Sequence, residues 1–178
     1  AARIVPGVAI EVVVATSDVL CDQLLAGRLD FALARLPPAP EAARLRFRHL
    51  GGEPVSLVVR RGHPLADGPP PEPEALMAHD WVMPGPDAVL RRAVLARLRA
   101  IGLPDPPGRV ATSSFLLTLA ILQASDAIAP LATAVADRFA AGESAAFAVL
   151  EAGLGIEVEP YGLVTRAESG LTPSARRI

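Results

Sequence analysis

The sequence predicts an α/β fold made of two successive units. Three observations carry that reading. Apolar, β-branched runs alternate with segments whose apolar residues recur at helical spacing. Five prolines between Pro64 and Pro73 interrupt the alternation and mark a boundary, because proline extends neither a helix nor a sheet interior. On each side of that boundary a strand-like run ends in consecutive hydroxyl residues that open a helix, "VVVATSDVL" before it and "VATSSFLL" after it. With 178 residues, 51% hydrophobic and 20% charged, the chain is long enough to bury a real core.

The elements follow in order. Residues 8–14 ("VAIEVVV") are nearly continuously apolar and predict a strand covered on both faces of a parallel sheet. The next helix is set by Leu20, Cys21, Leu24 and Leu25 on one stripe, with Gly27 placed for a left-handed C-terminal cap. Residues 30–35 ("DFALAR") return as a strand and complete a parallel, right-handed βαβ unit. Residues 45–50 and 54–60 predict two more strands, with "GGE" as the turn between them. Past the prolines come a strand at 80–84, a helix at 88–100 and a strand at 109–114. Then follow a helix so apolar around its circumference that burial is expected, a strand at 127–131 and the helix "TAVADRFAAG". Residues 147–166 supply two extended segments, and "LTPSARRI" opens a helix of less than two turns.

Composition narrows the function classes. A net charge of -2 and a pI near 5.9 give no electrostatic reason for direct contact with nucleic acid or an anionic membrane. Cys21 is the only cysteine, so no internal disulfide forms, which fits a reducing, cytoplasmic setting. No export signal is read, and the apolar run at 115–122 is far shorter than the roughly 20 residues that cross a bilayer, so a soluble chain is expected. His49, His63 and His79 stand at unrelated spacings and spell no metal site, and His63 reads as structure at the crossover. No nucleophile, base, phosphate loop or dinucleotide fingerprint is present, so no catalytic residue, no cofactor and no enzyme are expected. Trp81 reads as core, Cys21 as a buried thiol and Asp30 as a turn residue. The helix carrying Leu90, Val94, Leu95 and Leu98 reads as core-facing, with Arg91, Arg92, Arg97 and Arg99 on a solvated basic face.

The hydroxyl-bearing helix starts have two readings. A helix start leaves four N–H groups unpaired and carries partial positive charge, so Thr or Ser there caps the helix, or an anion docks. Ligands of open α/β sheets sit beyond the carboxyl ends of the strands, which is where Thr16, Ser17, Thr112, Ser113 and Ser114 stand. Both readings remain open from pattern alone.

Five blocks in order, "PGVAIEVVVATSDVLCDQLLAGRLDFALARLPP", "PVSLVVRRGHPLA", "DWVMPGPDAVLRRAVLARLRAIGL", "VATSSFLLTLAILQ" and "YGLVTRAESGLTPSARR", resemble the effector-binding domain of LysR-type bacterial transcription regulators. The resemblance covers essentially the whole chain. It implies a type II periplasmic-binding-protein-like fold, two α/β lobes joined by two crossover strands with a small effector in the cleft between them. Residues 1–60 would form lobe I, 61–153 lobe II with the proline-rich crossover at its start, and 154–178 the return crossover and last helix. Three departures accompany it. The family's first strand and its Ser/Thr loop precede Ala1, Ala124, Ser125 and Asp126 stand where a Gly-rich turn is usual, and the last helix is short.

Carried over position by position, the resemblance implies effector contacts from Thr16, Ser17, Arg35, Pro84, Gly85, Thr112, Ser113 and Pro130. Hydroxyls and an arginine point to a small organic or aromatic carboxylate, which a guanidinium pairs bidentately. The implied partners are the effector, a second copy in a homodimer (or a tetramer at full length), and DNA only through an N-terminal helix-turn-helix outside these residues. The competing reading is a free-standing solute-binding protein of the same fold, serving a transporter.

Overall fold

The computed structural model describes residues 8–142, 145–168 and 171–177. These pack as two compact units, the first holding the described residues up to Gly52 and from Glu159 onward, the second Glu53–Val158. Two long strands, β2 (Leu45–Arg60) and β7 (Ile156–Arg166), run from one unit into the other.

In the first unit, α1 (Ser17–Leu25) buries Leu20, Cys21 and Leu24 against Ala32 and Ala34 of β1 (Ala32–Ala34), Leu45 and Val164. Alternation along β1 does the rest, since Ala32 and Ala34 point at the helix while Leu33 points away and is 58% exposed. Gly27 ends the helix at φ 75, as its lack of a Cβ permits. Arg166 closes that end by donating from Nη1 to the carbonyls of Leu24 (2.9 Å) and Leu29 (2.8 Å), a cation at the negative end of the helix dipole. β1 pairs antiparallel with β7, with Ala32 opposite Val164 and Ala34 opposite Gly162. Gly162 is where backbones meet most closely, because an added Cβ would lie 2.5 Å from the Arg48 carbonyl oxygen and 2.5 Å from the Phe47 ring.

In the second unit, β3 (Trp81–Met83) and β4 (Gly108–Ala111) are parallel, and Trp81 bridges in parallel to Ile128 at the approach to β5 (Ala129–Ala132). Each strand is followed by a helix: α2 (Val89–Ala100), α3 (Phe115–Ala124) and α4 (Thr133–Ala140). β2 pairs antiparallel with β5 and with β6 (Phe147–Leu150). Leu57 and Val59 face one apolar cluster, with Trp81, Met83 and Leu98, while Val58 faces another, with Leu122 and Phe147. Burial of both faces is why "SLVVR" reads as a continuous rather than an alternating apolar run. Trp81 is fully buried as expected, its indole N–H donating to the Leu76 carbonyl (3.2 Å) at the end of a 3-10 turn over Pro73–Ala78.

Four expectations are corrected. Residues 8–14 form no strand. No ladder partner lies beside them among the described residues, and a strand without a partner leaves its backbone groups to water. Their side chains follow suit, with Val12 78% and Val14 92% exposed. The parallel βαβ unit is accordingly absent, since β1 takes an antiparallel partner instead. "GGE" is no turn, because Gly51 and Gly52 continue β2 without a break between the two expected strands. Finally, α3 is not buried all round. Thr118 and Leu122 are buried, but Leu116 is 77% exposed, so one face meets the unit's core and the opposite apolar face does not.

Candidate functional site

The first unit brings together three of the expected residues. Thr16 is the N-terminal boundary residue of α1, in extended conformation, and its carbonyl accepts the Leu20 N–H at 3.0 Å. Its hydroxyl does not cap the backbone. The neighbouring Asp18 carboxyl is held below its ordinary range, first by the Thr16 hydroxyl and then by the Val19 N–H, against an opposing cost of burial. The negative charge that an anion would bring to this helix start is thus already supplied by the chain. Ser17 Oγ accepts the backbone N–H of Arg35 at 3.1 Å, which ties the start of α1 to the end of β1 and leaves the hydroxyl proton to donate outward. Arg35 is half-buried and spends Nε on the Glu159 carbonyl (2.8 Å), so its guanidinium is held in a defined plane. Cys21 lies beneath them, its Sγ 3.6 Å from the Arg35 carbonyl, and burial pushes the thiol up, away from nucleophilic use.

The second unit assembles the remaining five. Pro84 and Gly85 follow β3. The Pro84 carbonyl accepts from Arg91 Nη1 (3.2 Å) and the Gly85 carbonyl from the Ala88 N–H (3.0 Å), so the loop is rigid before α2 begins. Thr112 follows β4, and its N–H donates to the Met83 carbonyl (3.0 Å), pinning this loop to the neighbouring strand. Thr112 Oγ1 accepts from the Ser114 N–H (3.0 Å), while Ser114 Oγ accepts from the Leu117 N–H (3.3 Å) as the cap of α3. Capping therefore falls to Ser114, and Ser113 is exposed between them. Pro130 differs in kind, being buried within β5 opposite Leu57 rather than standing in a loop.

A residue outside those expectations completes the pattern. Thr133 opens α4 directly after β5, and its hydroxyl lies 2.9 Å from Ser56 Oγ on β2. The signal was legible as a third strand–hydroxyl–helix junction, "APLAT", in which a single threonine stands where the other two junctions carry several hydroxyls. The first unit also carries an open groove of about 360 Å³ over the outer side of β1, lined by Phe31, Leu33, Leu50 and Leu163 with Arg48 and Arg176 at its rim. None of the expected site residues lines it. Among the described residues no group of His, Cys, Asp and Glu is placed to hold a metal ion.

The sequence model of the LysR substrate binding domain matches residues 3–178. This chain belongs to that family. The HTH-type transcriptional regulator GbpR of Rhizobium radiobacter is 39% identical over 140 residues, 79% of this chain and 46% of the relative. A LysR substrate-binding domain of this size thus spans about half the length of the curated relatives it matches. Two solved structures share the fold. The Synechocystis PCC6803 CcmR regulatory domain, in complex with 2-PG, superimposes with a TM-score of 0.73 at 17% identity, covering 97% of this chain and 80% of that one. The effector binding domain of QuiR, in complex with shikimate, gives 0.64 at 14% identity over 91% and 74%. The type II periplasmic-binding-protein-like fold expected from the sequence is therefore the fold of this LysR domain. No helix among the described residues is long and apolar enough to cross a membrane.

Proposed function

We propose that this LysR substrate-binding domain senses a small organic or aromatic carboxylate and that the whole protein is a transcription regulator. The observation that carries the reading is the family match over residues 3–178, and the 2-PG and shikimate complexes of structural relatives support a small effector. In the first unit, Ser17 donates its hydroxyl proton and Arg35 its guanidinium; in the second, Thr112 and Ser113 contribute the loop that follows β4. Pro84, Gly85 and Pro130 shape the surroundings and carry no charge-bearing role. Because Asp18 opposes an anion at α1, Arg35 supplies the attraction that the helix start alone lacks. No turnover of the bound acid is expected.

A thermal-shift panel of aliphatic and aromatic carboxylates on the purified chain tests the sensor. The right acid raises the midpoint, since a ligand at 100 times its Kd adds about 2.7 kcal/mol to the native state. Arg35→Lys and Thr112→Val each weaken that response, and a flat response across the panel rejects the carboxylate assignment. At the level of the whole protein, DNA contact belongs to a helix-turn-helix outside these residues and assembly to a homodimer. Sequencing the reading frame upstream of the Ala1 codon decides it, because an export signal there would overturn the regulator reading.

A further inference from the structure

Two histidines of the second unit converge on one carbonyl. His63, in the turn after β2, is 1% exposed, and its Nε2 lies 3.1 Å from the Asp126 carbonyl oxygen. His79, just before β3, places Nδ1 3.2 Å from the same oxygen, and the two rings sit 4.5 Å apart with a tilt of 49°. A carbonyl only accepts, so both ring nitrogens donate. The other nitrogen of His63 is also committed, because Nδ1 accepts the Leu65 N–H at 3.0 Å. His63 is thereby fixed as the neutral Nε2–H tautomer, since a second proton on Nδ1 would meet an N–H donor head on. Both nitrogens of His63 are thus engaged, and His63 cannot be charged without losing the Leu65 contact.

We propose that His63, in its neutral form only, fastens the turn following β2 to the turn preceding β5, so that mild acid unlatches the second unit. The charged and titratable groups around it argue the same way. On its own segment stands Arg60, which donates from Nε to the Asp126 carboxylate (2.8 Å) and approaches it with Nη2 (2.6 Å); from the approach to β3 comes His79; from the turn before β5 comes Asp126. Asp126 is the one anion among them, and Arg60 already holds it. Asp80, next to His79, offers its backbone carbonyl to the Ile128 N–H (2.9 Å). Burial, foremost, and then His79 and Arg60 push the imidazole of His63 below its ordinary 6.5, against the opposing pull of Asp126.

The sign follows. Below pH 6.5 the unfolded chain takes up a proton on His63 that the native chain refuses, so stability rises with pH through this window and is lost as pH falls below it. Trp81, the only tryptophan and buried in the same unit, reports unfolding by fluorescence. Urea midpoints of the wild-type chain and His63→Gln are compared from pH 8 to pH 5, with proton NMR following the imidazole resonance of His63 in the native wild type. The proposal expects a steeper acid loss for the wild type than for His63→Gln, and a His63 titration midpoint below 6.5. Parallel pH profiles, or a midpoint at or above 6.5, overturn it. If His63→Gln fails to fold, the NMR midpoint alone decides.

Discussion

At the scale of single residues, side chains proposed for ligand chemistry also hold the scaffold together. Ser17 spends its acceptor on the Arg35 N–H, and the Thr16 hydroxyl helps to hold Asp18 charged. Sequence placed both at a helix start but gave no view of their partners, because the partner of Ser17 is a backbone N–H 18 residues away. Gly162 was invisible for the same reason. In "EPYGLVTR" nothing marks it, yet the Arg48 carbonyl and the Phe47 ring leave no room for a methyl group. Gly162→Ala is expected to destabilise the first unit by about 1–3 kcal/mol, the usual cost of overpacking, and by more if the backbone cannot yield. Urea unfolding of the variant checks this, and an unchanged midpoint would show that β7 and β2 separate easily.

Among the elements, most helices and strands were read correctly, and the misses fell where pairing overrides composition. α1, α2 and α4 announce themselves through apolar stripes and closing residues, and β3 and β5 through short apolar runs between helices. Residues 8–14 have the composition of a strand, but a strand is a pairing and not a composition, and among the described residues no neighbour supplies one. "GGE" has the composition of a turn, but the ladder of β2 runs through it. The start of α3 separates capping from availability, a distinction that three adjacent hydroxyls conceal. Ser114→Ala is expected to cost about 1 kcal/mol through loss of the bond to the Leu117 N–H, while Ser113→Ala is expected to leave stability unchanged. Thermal unfolding of the two variants side by side distinguishes them, and equal losses would assign the cap differently.

For the whole molecule, order and spacing of five weak blocks carried more than any single residue did, and the family match confirms the fold they implied. The cap was less legible, because adjacent hydroxyls at a strand end look alike in sequence, and only hydrogen-bond partners single out Ser114. Surface character was the least legible of all. Ile10, Val12, Val13 and Val14 are exposed and have no ladder partner among the described residues, and Leu33 is exposed on β1. A β-branched stretch of this kind, low in charge and free to pair, is a template for cross-β association between molecules. As an isolated species the chain is therefore expected to lose monomer with rising concentration in light scattering, and Val12→Lys to slow that loss without moving the urea midpoint. The same seven residues that pair with no strand among the described residues would then set how long a sample of this chain stays clear on the bench.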